Sequence, residues 1–226
     1  ATPAGAAAVE EHDGVPRSLV VRRGKVGRLA KELVQDLRTV MAPFTATKLR
    51  ERKTNTVKDF VNVAPVLGVT HILTVSQASR TGSAAALPQP PNLSVARVPH
   101  GPTVTFKVVE YALASKLRKA MAMKKSLAGT GLLRTAFSKP PLVVLNNFEL
   151  PGNPRYVGLV GQFFRTMFPG LDVTTLKVSE CRRVLLVHFA PDTERFEVRQ
   201  YYVKTDPQGV TRSVRKIVKA THRGTT

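Results

Sequence analysis

Twice along this chain the same succession of periodicities occurs, and that recurrence limits the fold more than any single motif. Ser18 to Arg23 (SLVVRR) is a short apolar run of strand character. It is followed by apolar residues at Val26, Leu29, Ala30, Leu33, Leu37, Val40 and Met41. That is the stripe of an amphipathic helix, with Arg28, Lys31, Gln35 and Arg38 on the opposite face and Pro43 as its stop. The second half repeats the order. Pro141 to Asn147 (PLVVLNN) reads as a strand, and Tyr156 to Phe168 as a helix with Val160, Phe163, Phe164 and Met167 inward. In each half several strands and a further helix come next. This pattern predicts an α/β (α+β) fold of two similar lobes, each a small mixed sheet with packed helices, related by pseudo-symmetry.

The remaining elements fit that frame. Thr56 to Leu67 reads as a second helix, capped near Thr54 to Thr56, with Pro65 breaking its last turn. Val69 to Val75 reads as a buried strand. Ser76 to Asn92, with Gly82, Pro88, Pro90 and Pro91, reads as an exposed loop. Leu93 to Val98 and Thr103 to Tyr111 are expected as strands, the second with Val104, Phe106 and Val108 on one face. Ala112 to Met123 is a short helix with Leu113, Leu117 and Met121 inward, and Lys124 to Lys139 is a basic, Gly-containing linker. Val173 to Val178, Arg183 to Phe189 and Arg195 to Lys204 are expected strands, and Arg212 to Ala220 an expected helix. Residues 1–16, rich in Ala with Glu10, Glu11 and Asp13, read as a flexible lead-in. The chain starts at Ala1 without a methionine and stops in a basic segment, which reads as the ordered part of a longer protein.

Charge decides the class of partner. Thirty-five Lys and Arg stand against fifteen Asp and Glu, a net charge of +20, while 42% of the residues are apolar. A core of ordinary size is therefore available, and the excess charge calls for a polyanionic partner, nucleic acid before membrane. No stretch of eighteen apolar residues is present, and Ala6 to Val9 is too short for a signal-peptide core. A single cysteine, Cys181, excludes an intrachain disulfide and a cysteine-based zinc site.

The basic residues gather in a few places. Between Lys48 and Lys58 five of eleven residues are basic, in a loop (Lys48, Arg50, Arg52, Lys53) that also offers Asn55 to a base edge or 2′-hydroxyl. An ordinary solvated loop would carry the same residue types, and only placement distinguishes them. Arg22, Arg23, Lys25 and Arg28 cluster where a strand becomes a helix, and Gly24 and Gly27 would let a phosphate come close there. Lys116, Arg118, Lys119, Lys124 and Lys125 form a further strip, and Arg212, Arg215, Lys216, Lys219 and Arg223 another; either also suits a nuclear-localisation signal. Most Phe lie on apolar faces, so base stacking is a minor mode.

Catalytic readings find no support. The histidines at 12, 71, 100, 188 and 222 have no metal-binding spacing, and His71 and His188 read as hydrogen-bonded residues inside apolar strands. Carboxylates are too few for a metal-dependent nuclease, no Walker-type loop occurs, and Cys181 has no identifiable base. No enzyme activity, metal, cofactor or small-molecule substrate is expected.

Five segments together resemble the Brix family, and within it the Peter Pan branch. They are Arg23 to Val61 (RGKVGRLAKELVQDLRTVMAPFTATKLRERKTNTVKDFV), GVTHIL from Gly68, GPTVTFKV from Gly101, PPLVVLNNF from Pro140 and FFRTMFPG from Phe163. Their common order and spacing carry the resemblance, which spans roughly Pro16 to Lys219. The loop from Ser79 to Pro91 is longer than that pattern suggests, a kind of insertion that loops tolerate. The resemblance implies a Brix domain over 17–220, with anticodon-binding-like lobes at about 17–125 and 140–220 and a basic extension beginning at 221–226. It further implies rRNA binding and scaffolding of the pre-60S particle, near the maturing large-subunit rRNA and its spacer, in the nucleolus of the nucleus. Other assembly factors and ribosomal proteins would be partners. A permanent ribosomal protein, or less naturally an RNA-processing enzyme, is the alternative. Finally, Arg195 to Lys204 is long, alternating and free of proline, with Phe196, Val198 and Tyr202 on one face. Arg195, Glu197, Arg199 and Tyr201 occupy the other and are the expected partner-binding residues if the strand lies at a sheet edge.

Overall fold

The computed structural model of the chain describes residues 14–52, 54–77, 89–123, 136–171 and 181–203. Most of the lead-in and the expected elements Val173–Val178 and Arg212–Ala220 lie outside the described residues. In chain order the elements are β1 (Arg17–Arg23), α1 (Arg28–Val40), α2 (Val57–Val63), β2 (Val69–Ser76), β3 (Asn92–Arg97) and β4 (Thr103–Lys107). After these come α3 (Ala114–Met123), β5 (Leu142–Asn146), α4 (Arg155–Met167), β6 (Arg183–Ala190) and β7 (Arg195–Tyr202).

The strands form two sheets, ordered β1-β2-β3-β4 and β5-β6-β7. Each opens with a parallel pair, β1 with β2 and β5 with β6, and continues antiparallel. A parallel pair needs a crossover, and α1 and α4 lie in those crossovers. The repeated element order in the sequence is thus a repeated topology.

Central strand β2 is buried from His71 to Val75, and both of its faces are covered. On one face Leu73 and Val75 join Val20 and Val95 beneath Val34 of α1 and Met41, which caps that helix. The same cluster takes in Phe163 and Met167 of α4 and Leu185 of β6, so the second half supplies part of the first sheet's core. On the other face Leu19, Val21 and Ile72 pack against Ala64, Phe60 and Val61 at α2. A third cluster, Phe148, Val157, Val160, Val187 and Phe189, is closed by Val104 and Phe106 from β4. The ring of Phe196 on β7 lies 5.1 Å from that of Phe189 and 5.8 Å from that of Phe106. The lobes share one interior.

Three expectations are corrected. Arg38, placed by periodicity on the wet face of α1, is buried, and the inward stripe runs Ala30, Val34, Arg38. Leu29 is 43% exposed instead of inward. Leu117 on α3 is exposed while Leu113 is buried, because the helix begins only at Ala114 and meets the core through the residue before it. On β7 Phe196 is half-buried while Val198, two residues on along the same face, is 51% exposed. The expected cap of α2 lies at Thr56, whose N–H donates to Asp59 Oδ2 at 2.7 Å, but the helix ends at Val63, short of the expected Leu67.

Candidate functional site

The first basic cluster is built by the turn from β1 into α1. Gly24 takes a positive φ of 71°, which side chains disfavour, and the chain bends there. Gly27 caps α1 and its N–H donates to Gln77 Oε1 at 2.9 Å. The first turn of α1 contains no acid, so its positive dipole end stands beside Lys25 and Arg28 uncompensated.

The second cluster is held by side-chain fasteners. Thr45 is tied to β1, its Oγ1 donating to the Ser18 carbonyl at 2.9 Å. Farther along the loop Glu51 turns inward, with its side chain 8% exposed. It accepts the Arg22 backbone N–H at 3.1 Å and pairs with the Arg22 guanidinium at 3.3 Å. It also pairs with the guanidinium of Arg38. Arg38 donates besides to the carbonyl of Val20, at 3.0 and 2.9 Å, and to that of Leu49 at 2.9 Å. This is how a cation sits inside an apolar stripe: its donors meet a carboxylate and two carbonyls.

Loop and helix thereby border an open cleft of about 480 Å³, whose charged lining is Arg22, Arg28, Lys31, Glu32, Arg38, Arg50 and Glu51. Arg28 reaches Glu32 only at 3.8 Å, with the arginine side chain 90% exposed, so that pair holds little. Lys31 and Arg50 make no ion pair among the described residues. Of the residues proposed from sequence, Arg22, Arg28 and Arg50 converge here although they come from three segments. Arg22 needs a correction, because Glu51 already holds its guanidinium. Arg23, Lys25, Lys48, Arg52 and Asn55 are exposed on the surrounding turn and loop, and Lys58 is exposed on α2. Lys116 and Lys119 are exposed on α3. Lys53, Lys124, Lys125, Arg212, Arg215 and Lys216 lie outside the described residues. Lys31 was missing from the sequence-derived set; its position one turn beyond Arg28 was the available signal.

Among the described strands β7 pairs with β6 alone and lies at the end of its sheet, the position the strand-addition reading requires. Val203 N–H donates to the Arg182 carbonyl at 3.0 Å, and the register runs Arg183↔Tyr202, Val184↔Tyr201. Alternation from that bond aims the backbone groups of Phe196, Val198, Gln200 and Tyr202 at the open edge. Arg195, Glu197, Arg199 and Tyr201 are exposed on the opposite face of the strand from Phe196, with Arg199 and Glu197 paired at 2.7 Å.

The histidines divide. His71 is a core residue as expected, 1% exposed, its Nδ1 2.8 Å from Thr70 Oγ1 and its Nε2 3.3 Å from Thr166 Oγ1 on α4. Burial first, and then the charge of Arg97, lowers its pKa to about 4. His188 instead faces outward, half-buried, with Nδ1 3.2 Å from the Asn146 amide. Among the described residues no group of three or more His, Cys, Asp or Glu is placed to hold a metal ion, and no helix is long and apolar enough to cross a membrane.

Comparison with known proteins adds the lineage. The Brix domain model matches residues 24–223. The chain is similar to the Peter Pan-like protein of Arabidopsis thaliana, 36% identical over 206 residues that make up 91% of this chain and 55% of that one. It is similar to the protein Peter pan of Drosophila melanogaster, 35% identical over 91% of this chain and 41% of that one. It is also similar to the ribosome biogenesis protein SSF1 of Saccharomyces cerevisiae, 32% identical over 93% of this chain and 46% of that one. The chain spans about half the length of the curated relatives it matches. Among solved structures it is similar to a probable ribosomal biogenesis protein from Aeropyrum pernix K1, with a TM-score of 0.49, 15% identity and coverage of 83% of this chain and 89% of that one.

Proposed function

The chain belongs to the Brix family, and on that premise we propose that it is a non-catalytic ribosome biogenesis factor that binds pre-ribosomal RNA and scaffolds the precursor of the large subunit in the nucleolus. The observation that carries this reading is the cleft in which Arg22, Arg28, Lys31 and Arg50 meet from three separate segments. Scattered solvated charges would not be gathered by a buried Arg–Glu network. Phosphates suit this surface because most of its guanidinium and ammonium groups are exposed and need no reorganisation to meet an anion. The net charge of +20 supplies long-range attraction. The name of the yeast relative supports the ribosomal context.

The mechanism is positioning. Phosphate and 2′-hydroxyl contacts along the first lobe hold one RNA conformation, while the β7 edge accepts a strand from an assembly partner. Two experiments test the reading. Sedimentation of the tagged protein should place it in precursor fractions and not in mature subunits; presence in mature subunits would favour a permanent ribosomal protein. Changing Lys48, Arg50 and Arg52 to Ala should weaken binding to an rRNA fragment about tenfold or more while leaving the melting temperature nearly unchanged, since exposed loop charges add little stability. Equal losses of folding and binding would mean the loop is a structural network instead.

A further inference from the structure

We infer that Glu51 is a positioning residue for RNA, so that removing this negative charge weakens the protein's hold on a polyanion. The inference rests on the RNA-binding reading above. Elementary electrostatics predicts the opposite sign, because an acid beside a phosphate site repels the ligand. Two facts reverse the expectation. First, the Glu51 carboxylate is bracketed by the guanidinium groups of Arg22 and Arg38 and is 8% exposed, so little of its field reaches the cleft unopposed. Second, it is the fastener between three segments: the end of β1 through the Arg22 N–H, helix α1 through Arg38, and the loop that carries it.

Arg50 lies between two fixed points. The Leu49 carbonyl is held by Arg38 at 2.9 Å, and the Glu51 side chain is held by Arg38 and Arg22. With its neighbours on both sides anchored inward, Arg50 is left exposed on the wall of the cleft, facing Arg28 and Lys31 from α1. Without the carboxylate the Glu51 end of the loop loses its ionic tie to Arg22, so that Thr45 alone fastens the loop to β1 by a side chain, and the buried Arg38 loses its counter-charge. The cations would remain in the sequence but no longer in one place, and each would have to be ordered anew when RNA binds.

The test uses the whole chain and a labelled RNA hairpin with a single-stranded loop, titrated at several salt concentrations. Glu51→Gln keeps the shape and removes the charge. Glu110→Gln, at an exposed position away from the cleft, reports the effect of deleting an acid as such. Glu51→Gln should bind about three- to tenfold more weakly, with a salt slope shallower by about one contact, while Glu110→Gln should bind as tightly as the parent or slightly tighter. In an Arg50→Ala background the Glu51→Gln effect should fall below about twofold, because the residue through which it acts is gone. A merely structural role would lower both backgrounds alike. If Glu51→Gln is unfolded at the assay temperature, Glu51→Asp serves: it keeps the charge, so a field effect predicts no change, whereas the shorter reach should still weaken binding. Parent protein that fails to bind the hairpin would overturn the RNA reading and this inference with it. Binding by the parent that is matched or exceeded by folded Glu51→Gln or Glu51→Asp, or additive losses with Arg50→Ala, would overturn the positioning role alone.

Discussion

Arg183 and Ala42 are 141 residues apart in the chain, and the guanidinium of the first donates to the carbonyl of the second at 2.6 Å. The same side chain reaches the Val40 carbonyl at 3.1 Å and the Lys139 carbonyl at 2.8 Å, and lies 4.6 Å from the Phe137 ring centroid. Val40 closes α1, so a cation of the second sheet occupies the negative end of a helix in the first lobe. Burial lowers the Arg183 pKa to about 10, which leaves it charged at neutral pH. The lobes are thus joined by a polar pin as well as by a shared apolar interior.

Arg183→Ala should therefore cost about 3–5 kcal/mol, the range for stripping one member from a buried polar network. Arg183→Lys keeps the charge but cannot fork between three carbonyls, and should fall between the two. Urea unfolding followed by circular dichroism measures both. A loss below about 1 kcal/mol for the alanine variant would show that the apolar contacts alone hold the halves together.

Binding to structured rRNA fragments should be steeply salt-dependent. If about six phosphates are met, log K falls against log salt with a slope of roughly −4 on single-stranded segments to about −5 on helical ones. The exposed cations of the cleft, Arg28, Lys31 and Arg50, should each remove about one unit of that slope when changed to Ala. A salt-independent affinity would dispose of the electrostatic account.

Acid should loosen the contact between β2 and α4. His71 has a folded pKa of about 4 against an ordinary 6.5, so between these values the unfolded chain binds the proton and the folded one does not. Its contribution is complete above about pH 6.5 and is lost as pH falls toward 4. Two hydroxyls, Thr70 and Thr166, flank the ring, Phe163 meets it edge-on at 6.2 Å, and Arg97 adds like charge against protonation. Stability should drop by about 2 kcal/mol between pH 6.5 and pH 5, before carboxylates titrate. Denaturant midpoints across that window should flatten in His71→Gln, and an equally steep decline in the variant would assign the effect elsewhere.

The contrast between Arg38 and Thr56 shows what one sequence discloses. The cap at Thr56 was legible because its partner, Asp59, stands three residues away, and local geometry fixes the pair. The inward turn of Arg38 was not legible, because its partner Glu51 lies thirteen residues later in a loop with no periodicity. Periodicity places a charge by type, and only a distant acceptor can reverse that placement. The same limit applies to the cleft. Arg22, Arg28 and Arg50 could each be singled out as basic residues near a turn, but their convergence depends on the Ser18–Thr45 contact and on the pairing of Glu51 with Arg22 and Arg38. The succession of elements was recoverable in outline from the doubled pattern of strand, helix and strands, whereas the order of strands within each sheet was not. The shared interior was not, since nothing in the spacing of Phe163 or Met167 says which sheet they meet.

The β7 edge makes the last prediction sharp, because proline acts differently at adjacent positions. Val203 N–H bonds to the Arg182 carbonyl, so in this antiparallel register the odd-numbered residues of β7 point their N–H groups toward β6. The N–H groups of Val198 and Gln200 point outward, where no described strand pairs with them. Proline removes one N–H and is tolerated on an edge strand when that N–H faces outward. Val198→Pro or Gln200→Pro should therefore leave a folded protein with its β6–β7 ladder intact, yet deny an incoming strand its hydrogen bonds. Arg199→Pro, whose N–H faces β6 opposite Leu186, should lose several kcal/mol of stability. Co-purification of assembly factors from nucleolar extract reads the functional side, and thermal melts read the structural side. Folded Val198→Pro that keeps every partner would move partner binding off this edge, and Val198→Pro that unfolds as badly as Arg199→Pro would mean the edge is paired after all.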